Sequence, residues 1–242
     1  MFSPQIEGLL SIVEKISKEA KNGALISIES TIPKGTSKKV FEILNHRLHV
    51  AHAPHRWYAL EEQEHGVNQV RVIGGVCDCC LKVAMYFYDG RPENMNNSTT
   101  TTTTTTTTPT TTNEKSKSKS KSKSLGIPMH PVSDIEIAEL SKIAENAHRY
   151  LQIAFAEDLY LYCQANNINF SELRDAINTK WNVHILEPRE GIGGHCLPKD
   201  TKMFLHSSKS IKSKILQAAI EVDQDYRRYR EAREIKGIEN QM

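Results

Sequence analysis

The chain has 242 residues, of which 38% are hydrophobic and 25% are charged, and these proportions suit one or two globular domains. A formal net charge of +2 gives no bulk attraction for nucleic acid, and no apolar run approaches the ~20 residues that span a bilayer. Five cysteines, three of them within residues 77–80, make no disulfide framework, so we expect a cytoplasmic chain. From the small net charge and the lack of a long apolar run, we expect that it binds neither nucleic acid nor membrane.

The first part of the chain alternates helical patterns with short buried strands. Apolar spacing predicts a helix over residues 5–21 and a buried strand over 24–28. The same reasoning predicts a series of further elements: a helix at 37–47, strands at 48–53 and 69–73, a helix at 77–88 and an extended piece at 127–130. This alternation favours an α/β fold with a largely parallel sheet.

Residues 93–124 differ in composition from everything around them. They contain a threonine run and then alternating lysine and serine, with almost no apolar side chains. Because such a segment cannot offset the entropy of ordering, we expect a disordered insertion in a helix-to-strand connection. The lysine–serine tract could contact acidic partners, but a solvated insertion is the favoured interpretation.

The remainder of the chain is helical in pattern. Ser133 and Glu136 form a capping-box pattern that opens a long helix with an apolar stripe to about Ala165. Shorter helical patterns follow at 171–178 and 210–229. We therefore expect an α/β domain over 1–132, interrupted by the insertion, and a mostly helical domain over 133–242.

The most informative segment is 191–201, Gly-Ile-Gly-Gly-His-Cys-Leu-Pro-Lys-Asp-Thr. Its glycines allow the backbone to approach a ligand closely, and Pro198 suits the first turn of a helix. A helix that begins here would place Cys196 near its positive end, where a thiolate is favoured, with Asp200 on the same face. A thiol beside a carboxylate is a catalytic pair, although a buried structural cysteine is the alternative.

This segment resembles the active-site loop of the UDP-glucose/GDP-mannose dehydrogenase family of nucleotide-sugar 6-dehydrogenases, which includes UDP-N-acetylmannosamine dehydrogenase-like members. Residues 139–146, Glu-Leu-Ser-Lys-Ile-Ala-Glu-Asn, resemble the family's Glu-Leu-Xaa-Lys-Xaa-Xaa-Xaa-Asn on its long linking helix. Residues 29–36 resemble its Ser-Thr-Xaa-Pro-Xaa-Gly-Thr segment at a strand end. From the residues alone, Lys142 is more simply a snorkelling lysine, and 29–36 a strand-to-helix turn.

The resemblance implies a partial Rossmann-like NAD-binding domain followed by a helical central domain that makes a homodimer contact. It implies NAD as the cofactor and a nucleotide sugar, most simply a UDP-sugar, as the substrate. The implied reaction is a four-electron oxidation of the C6 alcohol to a carboxylate in two NAD-dependent steps.

The resemblance also assigns catalytic roles. Cys196 would capture the aldehyde as a thiohemiacetal and then carry a thioester. Asp200 would orient Cys196 or serve as a base. Lys142 and Asn146 would hold the oxyanion of the C6 oxygen. Thr31 would help to place the water or the nicotinamide.

Binding roles follow in the same way. Lys199 would lie near the cofactor, together with Thr31, and the backbone of Gly191, Gly193 and Gly194 would approach the sugar. The sequence contains no Gly-Xaa-Gly-Xaa-Xaa-Gly fingerprint for pyrophosphate, so the resemblance covers the middle of a full enzyme. An inactive relative kept as a dimerisation module, or an incomplete gene model, is the alternative.

The position of the family's water-assisting glutamate stays open. No glutamate directly follows Pro54, and Glu61, Glu62 and Glu64 are the nearest carboxylates after it.

Histidines recur every third residue at His46, His49, His52 and His55, and cysteines cluster within 77–80. Neither spacing is typical of a zinc site, and we do not expect the histidines to converge, so no metal is predicted.

Overall fold

The computed structural model describes residues 5–56, 66, 69–90, 124–207 and 213–239. Its helices and strands follow in chain order: α1 (Glu7–Glu19), β1 (Leu25–Ile28), α2 (Thr36–Ile43), β2 (His49–His52), β3 (Arg71–Gly75), α3 (Asp78–Tyr88), β4 (Met129–Pro131), α4 (Ile135–Ala165), α5 (Phe170–Asn178), α6 (Cys196–His206) and α7 (Lys214–Glu239). The predicted α/β class, with helices dominating after residue 133, is confirmed.

The four described strands form one sheet in the order β1-β2-β3-β4. β1 and β2 are parallel, as are β3 and β4, so the sheet is largely parallel as predicted. β2 and β3 are antiparallel, with Ala51 opposite Gly75. The ladder continues one step further, because the Val76 N–H donates to the Val50 carbonyl at 3.1 Å. The start of β2 therefore lies beside the residues that follow β3.

Two apolar clusters cover this sheet. One joins β2, β3 and β4 to α3 around Ile73 and Tyr88, and the other joins β1 and β2 to α1 and α2 around Val40 and Val50. At Gly74 a Cβ would lie 2.7 Å from the Ile135 Cα. Because only glycine fits there, β3 packs directly against the first turn of α4.

The long helix α4 organises the rest of the described chain. One apolar cluster, around Tyr150 and Ala154, joins α4 to the glycine-rich loop and α7. Another, around Cys163 and Phe170, joins α4 to α5 and the residues that follow it. The division into domains at residues 132 and 133 stays a prediction. No helix among the described residues is long and apolar enough to cross a bilayer.

The ends of three helices differ from the sequence-based expectation. The N-cap of α4 is Asp134, whose carboxylate accepts from the Glu136 N–H at 2.9 Å, so the capping prediction on Ser133 was wrong by one residue. α2 ends at Ile43 because Asn45 and His46 adopt positive φ angles of 49° and 58°. α7 extends to residue 239, past the predicted end at 229.

The predicted insertion at 93–124 lies almost entirely outside the described residues. On either side of it, the Leu125 N–H donates to the Phe87 carbonyl at 3.0 Å, and the Ile127 N–H donates to the Tyr88 carbonyl at 2.9 Å. The end of α3 and the approach to β4 are therefore hydrogen-bonded to each other.

Candidate active site

Cys196 is the first residue of α6 and its side chain is exposed. The chain reaches it through Gly191 and Gly194, whose φ angles of 94° and 77° lie in the left-handed region that favours glycine. The thiol is therefore held, exposed, at the positive end of a helix dipole. The sequence-based expectation of a helix start at this loop is met, and Cys196 is not a buried structural cysteine.

Asp200 lies one turn further along α6 and is only 1% exposed. Its Oδ2 accepts a hydrogen bond of 2.5 Å from the Asn146 amide on α4, and the Lys199 ammonium lies 3.1 Å from its Oδ1. Lys142 is half-buried one turn before Asn146. The structure thus brings three of the predicted residues into direct contact and keeps Lys142 on the adjoining turn.

A cavity of about 500 Å³ lies between the end of β1 and the start of α6. Thr31 and Lys199, both predicted to contact a cofactor, line it together with His195 and Met203. Its volume is in the range of small-molecule pockets, and the carboxyl end of a parallel strand is a common place for a ligand. The cavity therefore joins the two predicted cofactor-binding residues to the loop that carries Cys196.

Sequence reasoning missed how the segment at 29–36 is fixed to the long helix. The Glu139 carboxylate on α4 is fully buried and accepts from the backbone N–H groups of Gly35 at 2.6 Å and Ser37 at 2.8 Å. These N–H groups belong to the first turn of α2, where a negative charge is favourable. Glu139 therefore holds the end of β1, and with it Thr31, in register with Lys142 and Asn146.

Sequence reasoning also missed the anchor of the glycine-rich loop. The Asp223 carboxylate on α7 accepts from the Ile192 N–H at 2.7 Å and from the Arg227 guanidinium at 3.1 Å. The Tyr226 hydroxyl donates to the Arg189 carbonyl at 2.7 Å. Only the helical periodicity of α7 was visible in the sequence, and it carries no signal for these contacts across about 30 residues.

A polar cluster lies at the carboxyl ends of β1 and β2. The buried Arg71 guanidinium donates to Glu29 and to the His55 Nε2, both at 3.1 Å, and the Tyr88 hydroxyl donates to Glu29 at 2.5 Å. Burial and the positive charge of Arg71 lower the pKa of His55, against an opposing effect of Glu29, and Lys142 lowers it further. Because arginine can only donate, the His55 Nε2 accepts in this contact.

Glu61, Glu62 and Glu64 are the carboxylates nearest to the position of the resembled family's water-assisting glutamate, and all three lie outside the described residues. The described part of this stretch ends at Arg56, whose guanidinium pairs with the Glu145 carboxylate of α4.

Comparison with known proteins finds similar sequences among nucleotide-sugar dehydrogenases. Residues 136–225 match the model of the UDP-glucose/GDP-mannose dehydrogenase family, central domain. UDP-N-acetyl-D-mannosamine dehydrogenase from Methanococcus maripaludis strain S2 is 28% identical over 221 residues, which cover 91% of this chain and 43% of that protein. NDP-N-acetyl-D-galactosaminuronic acid dehydrogenase from Ralstonia nicotianae is 25% identical over 239 residues and is covered to 47%.

Solved structures lead to the same group. The structure of UDP-D-ManNAc dehydrogenase from Pyrococcus horikoshii superposes with a TM-score of 0.76 at 25% identity, over 98% of this chain and 50% of that one. The chain thus spans about half the length of the relatives it matches. Residues 136–225 therefore resemble the central domain of the UDP-glucose/GDP-mannose dehydrogenase family, and the chain as a whole resembles the middle portion of its members.

Proposed function

We propose that this chain carries the covalent chemistry of an NAD-dependent nucleotide-sugar 6-dehydrogenase. The reaction would oxidise the C6 alcohol of a UDP-sugar to a carboxylate in two steps. The observation that carries the proposal is the contact between Asn146 and Asp200, which joins the long helix to the helix that begins with Cys196. The matched relatives are named as dehydrogenases of N-acetylated nucleotide sugars, so UDP-N-acetylmannosamine is the first substrate to test.

The nucleophile is the Cys196 thiolate. Its exposure and its place at the start of α6 suit attack on a C6 aldehyde, forming a thiohemiacetal. Loss of a hydride from this adduct leaves a thioester, which water cleaves to release the carboxylate and the thiol. Asp200 lies too deeply buried for contact with bulk water, which suits a carboxylate that orients the thiol or accepts its proton.

The oxyanion is held by side chains of α4. The Asn146 amide has two N–H donors, and one of them is directed at Asp200. The second remains for the C6 oxygen, and Lys142 adds an ammonium one turn away. An amide and an ammonium aimed at the same oxygen stabilise the charge that develops in both oxidation steps.

The cofactor proposal rests on the cavity between Thr31 and Lys199. It offers a hydroxyl, an ammonium and apolar walls within about 500 Å³, which fits the nicotinamide end of a dinucleotide but not all of it. NAD, when bound, would accept the hydride from C6 in each step. Thr31 and Lys199 would hold the nicotinamide end beside His195, and the pyrophosphate fingerprint is not part of this sequence.

The assembly proposed for this chain is a homodimer in the cytoplasm. Large apolar side chains on α4 and α7 are exposed, including Phe155 at 58%, Tyr162 at 57% and Ile215 at 71%. Burial of such side chains is a common source of dimer stability. The cysteine thiols are free, which suits a reducing compartment. Sedimentation equilibrium tests the dimer, and a monomer at high protein concentration would contradict it.

The test of the activity is NADH absorbance with folded protein, NAD and a panel of UDP- and GDP-sugars. Two NADH per sugar consumed would support the four-electron oxidation. Cys196→Ser should stop the reaction at or before the aldehyde, and full two-step turnover by this variant would refute the covalent role. Lys199→Ala should raise the KM for NAD, whereas Lys202→Ala, on the exposed side of α6, should not. No NADH from folded protein would favour an inactive dimerisation module.

A further inference from the structure

The structure brings together a group of thiols and one imidazole in a region where the sequence analysis predicted no metal. Cys77 is the N-cap of α3, and Cys79 and Cys80 lie in its first turn. His49 is the first residue of β2. Because β2 and β3 run antiparallel, the residues after β3 lie beside the start of β2, and this places the cysteines against His49. The other histidines of the run are not part of the group.

The distances within this group suit a metal ion. Each of His49, Cys79 and Cys80 offers one ligand atom, and these atoms all lie within 4.8 Å of one another. The Cys77 sulfur lies 2.7 Å from that of Cys79 and 3.1 Å from that of Cys80. In the described ranges no other set of three or more such side chains is so closely gathered.

We propose that His49, Cys79 and Cys80 bind one Zn²⁺ ion and that the neighbouring Cys77 moves to complete the ligand set. Three thiolates and one imidazole form a common ligand set of structural zinc sites, with Zn–S near 2.3 Å and Zn–N near 2.0–2.1 Å. Sulfurs on a tetrahedral zinc ion are about 3.8 Å apart, so the Cys77 and Cys79 sulfurs must separate by about 1 Å. Rotation of the exposed Cys79 side chain provides that movement.

Backbone hydrogen bonds stabilise thiolates at this place. The Cys80 N–H donates to the Cys77 sulfur and the Val50 N–H donates to the Cys80 sulfur, both at 3.4 Å. A bound dication would stabilise the same thiolates further, because zinc binds the deprotonated thiol.

The position of the site indicates a structural role. His49 lies at the amino end of β2, whereas the cavity beside Thr31 lies past the carboxyl end of the parallel β1. A zinc ion bound by His49 and the cysteines would tie β2 to the first turn of α3 at the opposite end of the sheet from Cys196. The inference is thus independent of the proposed dehydrogenase activity.

Zinc binding is measured on the full chain, purified under reducing and anaerobic conditions and stripped with a chelator. We expect one Zn²⁺ per chain in competition with a chromophoric chelator. Co²⁺ in its place should give the strong visible d–d bands of a tetrahedral site and a thiolate charge-transfer band in the near ultraviolet. Cys79→Ser and His49→Ala should each weaken the affinity for Zn²⁺ at least tenfold.

Matched controls separate this site from incidental binding. His148→Ala and Cys196→Ser remove an exposed histidine and an exposed cysteine elsewhere, and both should bind Zn²⁺ as the wild type does. Cys79 is exposed, so Cys79→Ser is the variant least disturbing to the fold, and circular dichroism checks it. Unchanged affinity in Cys79→Ser and His49→Ala, an octahedral Co²⁺ spectrum, or a Cys77–Cys80 disulfide that forms equally with and without Zn²⁺ would each overturn the proposal.

Discussion

The side-chain amide of Asn146 donates a hydrogen bond of 2.5 Å to the carboxylate of Asp200, across 54 positions of the chain. One residue lies on the long helix α4 and the other on the helix that starts with Cys196. Because Asp200 is buried, its carboxylate depends on the few donors that reach it, and Asn146 is one of them.

Replacing Asn146 by alanine tests this dependence. The variant removes a donor from a buried charge, so the free energy of unfolding should fall by about 1–3 kcal/mol. Urea denaturation followed by circular dichroism measures the change. Gln152→Ala, on the same helix and with only a 3.4 Å contact to the exposed Arg149, should change it by less than about 0.5 kcal/mol. Equal effects of the two substitutions would contradict the role of the contact.

Glu139→Ala should be among the most destabilising substitutions on α4. It would leave the N–H groups of Gly35 and Ser37 without their acceptor in a buried position, and we expect a loss of about 2–4 kcal/mol. Glu136→Ala, one turn earlier, removes partly exposed ion pairs with Lys34 and Lys38 and should change stability by less than about 1 kcal/mol. Thermal unfolding compares the two variants, and a milder effect for Glu139→Ala would be inconsistent with the proposed anchor.

The glycine-rich loop offers an internally controlled pair of substitutions. Gly191 has a φ of 94°, and a Cβ there would lie 2.8 Å from the Arg227 Cζ. Gly191→Ala should therefore destabilise the loop by about 1–2 kcal/mol and should slow alkylation of Cys196 or make it heterogeneous. At Gly193 a Cβ would meet nothing within 4 Å, so Gly193→Ala should leave both properties near the wild type. Mass spectrometry after iodoacetamide labelling measures the rate of Cys196 alkylation in both variants.

Glu157 should make stability fall as the pH rises. The residue is fully buried, and neither carboxyl oxygen has a hydrogen-bond partner among the described residues. Burial and then the charge of Asp223 raise its pKa to about 8, against an opposing effect of Arg227, and Tyr150 and Tyr226 also face this pocket. The folded pKa exceeds the ordinary value of 4.5. The contribution of protonated Glu157 to stability is therefore fully present below about pH 4.5 and is lost progressively as the pH rises to 8.

Glu157→Gln should remove this loss. The variant should gain on the order of 2 kcal/mol in unfolding free energy at pH 8 and little at pH 5, as measured by urea denaturation at both values. Asp158→Asn, at the neighbouring exposed position, should show no such pH-dependent gain. A gain that is equal at pH 5 and pH 8 would show that Glu157 is ionised in the folded protein throughout.

The elements of the fold were predictable because their signals are local. The apolar spacing that buries Val13 identified α1, and the short apolar run ending at Ile28 identified β1. The N-cap of α4 was misplaced because Ser133 and Asp134 are both good caps, and only the backbone decides between them. The reversal between β2 and β3 could not be predicted, since strand direction depends on pairing between distant residues.

Some features of the candidate site were also visible in the sequence, and others were not. The four-residue spacing of Cys196 and Asp200 is a local feature and was visible in the sequence. The contact from Asn146 and the anchor from Glu139 span 54 and 102 positions, and periodicity says nothing about such distances. The role of Lys142 came from family resemblance alone. The proximity of His49 to the cysteines depends on an antiparallel pairing that the sequence did not reveal.

The hydrogen bond between the backbone groups of Phe87 and Leu125 fixes the two ends of the connection between them, so the connection itself can be replaced. The hydrogen bonds that join α3 to the approach to β4 belong to the flanking residues, so the geometry of the sheet does not depend on what the intervening chain contains. Loop closure changes by only ~0.6 kcal/mol for each doubling of length. A short glycine–serine linker in place of residues 91–123 should therefore leave the fold intact, and the same point offers a place where a tag or a second domain can enter the chain without disturbing either Cys196 or the cysteine group beside His49.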